Sequence, residues 1–322
     1  MEQQISITEF EKDILQGLSS SPKHLYSKYF YDDEGSRIFQ DIMGMPEYYL
    51  TNCELEIFNT HKGGILSHLP KSHFELIELG AGDGLKTKIL LSYFLKQQVD
   101  FKYIPIDISK DAVKKLLITL KKELPMLNVD GQIGDYFKLI GDLNTNDKSP
   151  KIILFLGSNI GNFNQNKALA FLHELKAVMH SKDLLLIGFD LKKDKDLILK
   201  AYNDPHGHTA AFNLNLLRRI NRELNADFTL NDFQHIETYD SESGTAKSYL
   251  LSLKKQEVFI RKLMKNISFN KGESIYMEMS QKYDHEMIDN LAKSSGFEVI
   301  KNYHDSQNYY SNSLWRVLPS SE

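Results

Sequence analysis

The feature that most constrains the fold is the segment 74–84, in which a short apolar-rich run (FELIEL) leads directly into a glycine-rich loop (GAGDG). A run of this length bounded by glycines is typical of a buried strand. A helix should follow it, from about Leu85 to Leu95. A strand, a glycine loop and a helix in this order predict the start of a doubly wound α/β domain.

The same alternation of strands and helices continues along the chain. A second strand is predicted at Tyr103–Ile108, and Ser109 stands where it can cap a helix that runs to Leu124. The later elements of the series are strands at 132–133, 152–156 and 184–189 and a helix at 166–179. Because strands that alternate with helices pair in parallel, we predict a parallel sheet.

A second domain is predicted from the residues that interrupt this alternation. After Asp190 the chain passes through a charged run, 192–196, and then mixes helical and strand-like pieces as far as Ser280. Two further strands, predicted at 297–303 and 309–317, would return the chain to the first sheet. Because 322 residues suffice for two lobes and no Pro/Gly/Ser-rich linker separates them, the lobes must interleave. We assign 53–192 and 281–322 to the first domain and 1–52 and 193–280 to the second.

Composition narrows the class of partner. The 39 basic and 43 acidic residues give a formal charge of −4 and no basic patch for nucleic acid or an anionic membrane. We therefore expect a small-molecule partner, and a monomer.

No apolar run is long enough to cross a bilayer and the first residues do not resemble a secretion signal, so we expect a cytoplasmic protein.

Disulfide and metal chemistry have little support in the sequence. The single cysteine, Cys53, excludes an intrachain disulfide and a multi-cysteine metal site, and we expect it to be a small buried thiol. The 11 histidines form no H-E-x-x-H pattern, so no metal site is expected. His206 and His208 are predicted to lie in a loop beside a helix N-terminus.

Three alternating glycines and one acidic residue predict a nucleoside-binding site. Gly80, Gly82 and Gly84 follow the first strand, and Asp107 ends the second, about 20 residues farther on. An aspartate in this position can accept hydrogen bonds from both ribose hydroxyls. A tight turn without a ligand would explain one such glycine. Three of them, together with the aspartate at the strand end, favour a ligand site.

The spacing argues against a diphosphate in this site. The loop reads G-x-G-x-G, whereas the dinucleotide fingerprint is G-x-G-x-x-G, although the shared glycines leave an NAD oxidoreductase as an alternative. Lys86 is not preceded by the glycine that a P-loop requires, which argues against nucleotide hydrolysis. Asp135 and Tyr136 follow the third predicted strand, where an adenine amine and ring would lie, although surface positions would explain them equally well.

Long ordered strings spread over nearly the whole chain carry a further signal. They are KYFYDDEGSRIFQDIMGMPEYYLTNCE (28–54), ELGAGDGLKTK (78–88), YIPIDIS (103–109), LFLGSNIGNF (154–163), AYNDPHGHTAAFNLNLLRRINRELNADF (201–228) and IYMEMSQKY (275–283). Together they resemble the histidine-specific Nα-methyltransferases of the ergothioneine pathway, which convert L-histidine into its trimethylated betaine, hercynine. The resemblance implies an α/β fold, in which a Rossmann-like S-adenosylmethionine (SAM) methyltransferase domain is interleaved with a substrate-binding domain.

The resemblance also implies roles for individual residues. It places Tyr31, Gly80, Lys86, Asp107, Asp135 and Tyr136 in the cofactor site, where Gly82 and Gly84 belong by their spacing. It places Tyr48, Gly157, Asn162, Tyr202, Glu278 and Ser280 in the substrate site. Tyr31 and Tyr48 would orient the acceptor amine and help a water molecule to remove its proton.

These residue types suit an amino-acid acceptor. Asn162 carries both donor and acceptor groups for the α-amino and carboxylate ends, and Tyr202 can donate to the carboxylate. Glu278 can accept a hydrogen bond from an imidazole N–H, and Ser280 can pair with the other ring nitrogen in either tautomer. Each residue alone has an ordinary structural explanation, so it is their joint occurrence in the family strings that favours a substrate site.

One segment departs from the family pattern. Ala246–Leu253 (AKSYLLSL) carries Tyr249 where the family has a methionine that forms a wall of the substrate pocket. A larger phenol there would change the choice of acceptor, so another amino acid, such as a thiolated histidine or a tryptophan derivative, is an alternative acceptor. A catalytically silent cofactor-binding protein of the same fold is the alternative from a different class, and the retention of the site residues argues against it.

Overall fold

The computed structural model describes residues 8–139 and 149–318. Within these residues the chain forms two compact units, and each unit combines two separate stretches of sequence. Unit 1 comprises Met1–Tyr48 and Asp194–Ser280, and unit 2 comprises Tyr49–Lys193 and Gln281–Glu322. The chain therefore passes from one unit to the other three times.

The elements are numbered in chain order over the described residues. The helices are α1 (Glu9–Ser19), α2 (Asp33–Gly44), α3 (Tyr49–His68), α4 (Thr87–Lys96), α5 (Lys110–Glu123), α6 (Tyr136–Leu139), α7 (Gln165–Val178), α8 (Lys195–Tyr202), α9 (His208–Leu224) and α10 (His285–Ser294). The strands are β1 (Lys23–His24), β2 (Phe74–Leu79), β3 (Phe101–Asp107), β4 (Gln132–Ile133), β5 (Lys151–Phe155), β6 (Leu184–Asp190), β7 (Phe233–Asp240), β8 (Thr245–Ser252), β9 (Gln256–Ile260), β10 (Lys265–Phe269), β11 (Ser274–Gln281), β12 (Phe297–His304) and β13 (Tyr310–Val317).

Unit 2 is built on a seven-stranded sheet in the order β12-β13-β6-β5-β2-β3-β4. The five strands from β6 to β4 pair in parallel, while β13 runs antiparallel to both β6 and β12. The prediction of a parallel sheet from the alternating strands and helices is therefore confirmed for these five strands, and the direction of the last two strands was not predicted. The connection between β12 and β13, residues 305–309, is too short for the crossover that a parallel pair needs.

The local predictions around the glycine loop agree closely with the structure. β2 covers the predicted residues 74–79, and Ser109 caps α5 by accepting a hydrogen bond from the Ala112 N–H (3.2 Å). α4 begins at Thr87, two residues after its predicted start at Leu85, because the glycine loop continues as far as Lys86. The two strands predicted near the end of the chain are β12 and β13, which do complete this sheet.

The centre of the sheet contains the point where its winding reverses. Every residue of β2, β5 and β6 is buried, as expected for strands covered by helices on both faces. β2 and β5 lie side by side, yet the chain proceeds from β2 to β3 on one side and from β5 to β6 on the other. In doubly wound sheets, ligands bind in the crevice beyond the carboxyl ends of such a pair of strands.

Unit 1 contains a four-stranded sheet in the order β1-β11-β8-β7, a separate β9-β10 hairpin, and the helices α1, α2, α8 and α9. Alternate residues of β8 are buried, and Ala246 of this strand packs with Tyr239 of β7 against Ile198 of α8. Because side chains alternate along a strand, Ser248 lies on the same face as Ala246. α8 therefore packs on the face of the sheet that carries Ala246 and Ser248.

Some smaller features bear on the predicted chemistry. Cys53 lies buried in α3, and burial raises the pKa of its thiol to about 12. His206 lies in the loop as predicted, whereas His208 is the first residue of α9 and not part of the loop. In the described part of the chain no helix is both long and apolar enough to cross a membrane. Over the same residues, no group of three or more His, Cys, Asp or Glu side chains is arranged to hold a metal ion.

Candidate active site

The glycine loop of unit 2 is held by the carboxylate that ends β3. Gly80, Gly82 and Gly84 have φ angles of 74°, 55° and 65°, a left-handed conformation that favours glycine. Asp107 Oδ2 accepts a hydrogen bond from the Gly82 N–H (2.9 Å), and Oδ1 accepts one from the Ser109 N–H (2.8 Å). Burial raises the pKa of Asp107 even though these N–H groups act in the opposite direction. The four predicted residues are therefore brought together at one edge of the sheet.

Exposed apolar side chains surround this edge. Leu85 follows the glycine loop, Ile108 follows β3, Ile133 ends β4 and Phe137 lies in α6; their exposed fractions are 43, 48, 48 and 41%. Exposed large apolar side chains that cluster in this way mark an interaction site. These four residues were not selected as site residues from the sequence, although Leu85 follows the glycine loop, and Ile108 and Ile133 lie at the ends of predicted strands.

Asp135 and Tyr136 lie at the same edge, at the start of α6. Asp135 Oδ1 accepts a hydrogen bond from the Phe137 N–H (3.0 Å). The Tyr136 ring packs against Phe155 and Phe171, with centroid separations of 5.7 and 6.0 Å, and burial raises the pKa of its phenol. Tyr136 is thus packed against the hydrophobic core of unit 2.

A buried ion pair lies where β2 and β5 end. Lys86 Nζ donates to the carboxylate of Glu54 in α3 (2.5 Å), and the same carboxylate accepts from the Gly157 N–H (3.1 Å). Gly157 has a φ of 70° and follows β5, and Asn162 closes the short 3-10 helix Asn159–Asn162 just after it. The structure therefore joins Lys86 and Gly157, both predicted site residues, through Glu54, which the sequence analysis missed.

A second buried glutamate lies just before the glycine loop. Glu78, in β2, accepts hydrogen bonds from Thr87 Oγ1 (2.6 Å) and from the Tyr103 hydroxyl. Glu78 is 3% exposed. Burial raises the pKa of its carboxyl to about 7, although the hydrogen bonds from the two donors act to lower that pKa. Glu78 is therefore a buried group that titrates near neutral pH.

In unit 1, an aromatic series connects four of the predicted residues. The ring of Tyr31 lies 5.5 Å from Phe39, Phe39 lies 6.3 Å from Tyr48, and Tyr48 lies 6.2 Å from Tyr202. These contacts are all edge-to-face, the favourable geometry for aromatic rings. The Tyr202 hydroxyl is 3.1 Å from Ser280 Oγ. Tyr31, Tyr48, Tyr202 and Ser280 therefore belong to one continuous cluster.

Tyr249 and Glu278 are connected through a tyrosine that the sequence analysis did not select. The ring of Tyr249 lies 5.7 Å from that of Tyr276, which is two residues before Glu278 in β11. Burial raises the pKa of Tyr276 to about 12, and the charge of Glu278 contributes to the increase. Burial, followed by the charge of Glu237, also raises the pKa of Tyr249. Two phenols and two carboxylates are therefore close together in this sheet.

The residue next to Tyr249 lies on the helix-covered face. Ser248 is buried and stands opposite Glu237 in the β7-β8 pair, whereas Tyr249 stands opposite Ile236. Residues opposite each other in a strand pair share a face. Ser248 and Glu237 therefore share the face of the sheet that carries Ala246. The side chain of Tyr202 packs against the cluster to which Ala246 belongs. The sequence of β8, TAKSYLLS, has no alternation of apolar and polar residues that would have indicated this placement.

A family model for histidine-specific, SAM-dependent methyltransferases matches residues 10–317. The chain belongs to this family. The resemblance predicted from the sequence is confirmed, and with it a SAM-dependent methyltransferase with a Rossmann-like domain.

Individual relatives in this family are similar over most of the chain. The histidine N-alpha-methyltransferase of Mycolicibacterium smegmatis is 33% identical over 277 residues, which cover 86% of this chain and 85% of the relative. The protein of the same description from Mycobacterium tuberculosis is 31% identical, with coverage of 94% and 93%. Ergothioneine biosynthesis protein 1 of Schizosaccharomyces pombe is 30% identical over 89% of this chain, which corresponds to 38% of that longer protein.

The residues at the carboxyl edge of unit 2 fit the cofactor of the family. S-adenosylmethionine presents vicinal ribose hydroxyls, a purine and a zwitterionic amino-acid end. The edge offers a carboxylate at Asp107, exposed apolar side chains such as Ile108 and Phe137, and the ammonium group of Lys86. Each part of the cofactor therefore has a chemically matched group within this one unit.

Replacement of Asp107 by alanine tests its role in this family member. We expect the affinity for S-adenosylhomocysteine to fall by about 2 kcal/mol, roughly 30-fold, because the ribose hydroxyls lose a charged acceptor. Calorimetry should give the same loss for 5′-methylthioadenosine, which has the same ribose. Asp111→Ala, at an exposed carboxylate in the same region, is the control. Unchanged affinity in a folded Asp107→Ala variant would remove this residue from the site.

The raised pKa of Glu78 predicts a pH dependence of stability. The pKa of Glu78 is about 7 in the folded protein, above the ordinary value of 4.5 for a glutamate. Its contribution to the stability of the fold is therefore complete below about pH 4.5 and is lost as the pH rises through 7. Glu78→Gln keeps a neutral hydrogen-bonding group but cannot titrate. We expect the stability of wild type relative to this variant to fall between pH 4.5 and 7, with a slope of no more than one proton. Parallel urea-unfolding profiles across this range would contradict the assignment.

A third buried charge cluster lies at the end of β6. Asp190, which is fully buried, accepts hydrogen bonds from Lys282 Nζ (2.7 Å), from Lys193 Nζ and from the Tyr49 hydroxyl (2.9 Å). Burial alone would raise the pKa of Asp190, but the two ammonium groups outweigh it and hold that pKa below its ordinary value. These four residues lie next to the three places where the chain passes between the units.

An open cleft of about 680 Å³ lies elsewhere in unit 2. It is lined by residues that include His73, Pro150 and Leu184, which stand at the amino ends of β2, β5 and β6. Ligands of doubly wound sheets bind at the opposite, carboxyl edge. We therefore assign the family's cofactor to the edge that carries the glycine loop.

Proposed function

We propose that the enzyme transfers methyl groups from SAM to the α-amino group of L-histidine, and adds three of them to form hercynine. The observation that carries the proposal is the cluster of unit 1, in which the Tyr202 hydroxyl lies 3.1 Å from Ser280 Oγ and the Tyr48 ring packs on Tyr202. Two relatives that match most of the chain are described as histidine N-alpha-methyltransferases. The S. pombe relative's description supports a place in ergothioneine biosynthesis.

The two units have separate roles in this proposal. Unit 2 is the cofactor domain, in which Asp107 accepts from the ribose, Lys86 binds the carboxylate of the methionine end, and Asp135 and Tyr136 border the adenine. Gly80, Gly82 and Gly84 let the loop approach the cofactor closely. Unit 1 is the substrate-binding domain, and contributes Tyr48, Tyr202, Glu278 and Ser280. Gly157 and Asn162 lie in unit 2, and the family resemblance gives Asn162 the role of holding the α-amino and carboxylate ends of the acceptor.

The chemistry requires a neutral amine. SAM supplies an electrophilic methyl group, and the α-amino group of an amino acid has a reference pKa near 8, so it is largely protonated at pH 7. Tyr31 and Tyr48 orient this amine and help a water molecule to take its proton. No strong base is needed, since positioning supplies most of the rate enhancement.

The ring of the acceptor is recognised by polar groups of β11. Glu278 accepts a hydrogen bond from one imidazole N–H, and Ser280, which the Tyr202 hydroxyl orients, pairs with the other ring nitrogen. A site that hydrogen-bonds a substrate N–H discriminates strongly against amino acids that lack it. The proposal therefore gives histidine as the preferred acceptor.

The decisive experiment is mass spectrometry of each common amino acid after incubation with the enzyme and SAM. We expect histidine to gain one, two and then three methyl groups, and other amino acids to react slowly. A thiolated histidine and tryptophan are included, because preferential methylation of either would replace histidine as the acceptor. No methylation of any amino acid would favour a silent cofactor-binding protein.

The proposal includes a cytoplasmic monomer that acts on a small molecule. The balanced charge of −4 and the single buried thiol of Cys53 support it. Size-exclusion chromatography with light scattering tests the oligomeric state, and a mass of 37.1 kDa is expected for the monomer.

A further inference from the structure

The carboxylate of Glu54 is a highly connected buried acid at the carboxyl edge of unit 2. It accepts hydrogen bonds from Lys86 Nζ (2.5 Å), the Gly157 N–H (3.1 Å) and the Tyr310 hydroxyl (3.1 Å). These donors come from three separate segments, the loops after β2 and β5 and the start of β13. The side chain of Glu54 is 1% exposed, so solvent does not compete for its oxygens.

Lys86 is a member of this cluster that a ligand can reach. Its side chain is 20% exposed, and its Nζ atom would lie 3.3 Å from a Cβ built on Gly157. The ammonium group therefore stands directly over the glycine that follows β5. β2 and β5 are the neighbouring strands at which the winding of the sheet reverses, so Lys86 faces the crevice where ligands of such sheets bind.

A glycine in β6 makes room for the Glu54 carboxylate. A Cβ built on Gly188 would lie 2.3 Å from the Tyr310 hydroxyl oxygen and 2.7 Å from Glu54 Oε1. Such distances are too short for any real side chain. The backbone of β6 can therefore carry no side chain at this point, which lets α3 bring its acid to the end of the neighbouring strand.

We propose that Glu54 is a positioning residue for the cofactor, which fixes the ammonium group of Lys86 where it binds the amino-acid end of SAM. A lysine has a flexible stem with several rotatable bonds, so an unheld ammonium group would sample many positions. The buried carboxylate restricts it to one, and neutralises its charge before the cofactor carboxylate arrives. Glu54 acts only through Lys86 and the Gly157 N–H, and does not touch the reacting methyl group.

The proposal rests on the binding of SAM and not on the identity of the acceptor. Only the amino-acid end of the cofactor should depend on Glu54, because the ribose and adenine are bound by other residues. S-adenosylhomocysteine carries this end and 5′-methylthioadenosine lacks it, while both contain the same adenosine. The two ligands therefore separate a positioning role from a general structural role, and a failure to methylate histidine would leave the comparison unaffected.

The test is calorimetry of both ligands with wild type and with Glu54→Gln, in the full-length chain. We expect S-adenosylhomocysteine to bind roughly 10- to 100-fold more weakly to the variant, as for the loss of a charge-assisted contact, and 5′-methylthioadenosine to change by less than about 3-fold. Lys86→Met should show the same selective loss. The double variant should bind no more weakly than Lys86→Met alone, because the two residues act as one unit.

Glu123→Gln is the matched control, because it removes a carboxylate from the exposed Lys88–Glu123 ion pair of the same unit (2.7 Å) but leaves Glu54 and Lys86 in place; its affinity for both ligands should equal that of wild type. If Glu54→Gln does not fold, Glu54→Asp gives the same comparison with the charge kept and the reach to Lys86 shortened. Equal weakening of the two ligands, unchanged binding of S-adenosylhomocysteine, or additive effects of Glu54→Gln and Lys86→Met would each overturn the proposal.

Discussion

Replacement of Asp190 by alanine should lower the free energy of unfolding by about 3–5 kcal/mol, because it leaves two ammonium groups in the protein interior without their carboxylate. The side chains of Lys282 and Lys193 are 0% and 5% exposed, so water cannot replace the lost partner. The Tyr49 hydroxyl loses its acceptor at the same time. Urea unfolding at neutral pH measures the loss.

An exposed ion pair of the same unit is the control for this prediction. Lys102 and Asp130 are 2.8 Å apart with side chains 31% and 49% exposed, and Asp130→Ala should cost no more than about 1 kcal/mol. The pKa of Asp190 is lowered in the folded protein, so its contribution is present above about pH 4 and is lost as the pH falls through the folded value. A cost for Asp190→Ala as small as that of the control would show that the cluster contributes little to stability.

Glu278→Ala should lower kcat/KM for histidine by roughly 2–4 kcal/mol, between about 30- and 1,000-fold. The proposed function makes Glu278 the acceptor for an imidazole N–H, and the variant leaves that donor unpaired. Amino acids with apolar or aromatic side chains should lose much less, so the order of preference among acceptors should change. Binding of S-adenosylhomocysteine should be unaffected, because Glu278 is not among the residues assigned to the cofactor. Competition kinetics with pairs of amino acids measures the preference directly.

Two further variants make the Glu278 result specific. Glu257→Ala, at an exposed carboxylate in β9 of the same unit, should leave the preference for histidine unchanged. Tyr249→Met, alone and combined with Glu278→Ala, measures the coupling between the two positions. If Glu278→Ala reduces the rate with every amino acid by the same factor, the residue supports the fold of unit 1 and does not recognise the ring.

The parts of the fold that the sequence predicted are those encoded by neighbouring residues. The glycine loop, the cap at Ser109 and the strand ending at Asp107 each depend on a few consecutive residues, and the structure has them where the local pattern indicated. The antiparallel end of the sheet was not predicted, because strand direction depends on pairing between distant segments. β13 pairs with β6, which ends more than a hundred residues earlier in the chain.

The same distinction applies to the candidate site. Lys86 was selected through the family resemblance, but its partner Glu54 lies in α3 and belongs to no local pattern that includes Lys86. Asp190 and Lys282 likewise meet only in the folded sheet. Charges that meet through tertiary structure leave no signal in a single sequence.

The antiparallel end of the sheet has a consequence for the synthesis of the chain. β6 is complete when the ribosome reaches Asp190, but its neighbour β13 is not made until Val317. During this interval β6, which is apolar except for Asp190 at its end, has an open edge, which is a template for pairing with other chains. The interval includes the whole of the second segment of unit 1. We therefore expect a chain that stops before β12 to aggregate. Nascent chains that contain β6 but not yet β13 should be the ones that chaperones bind.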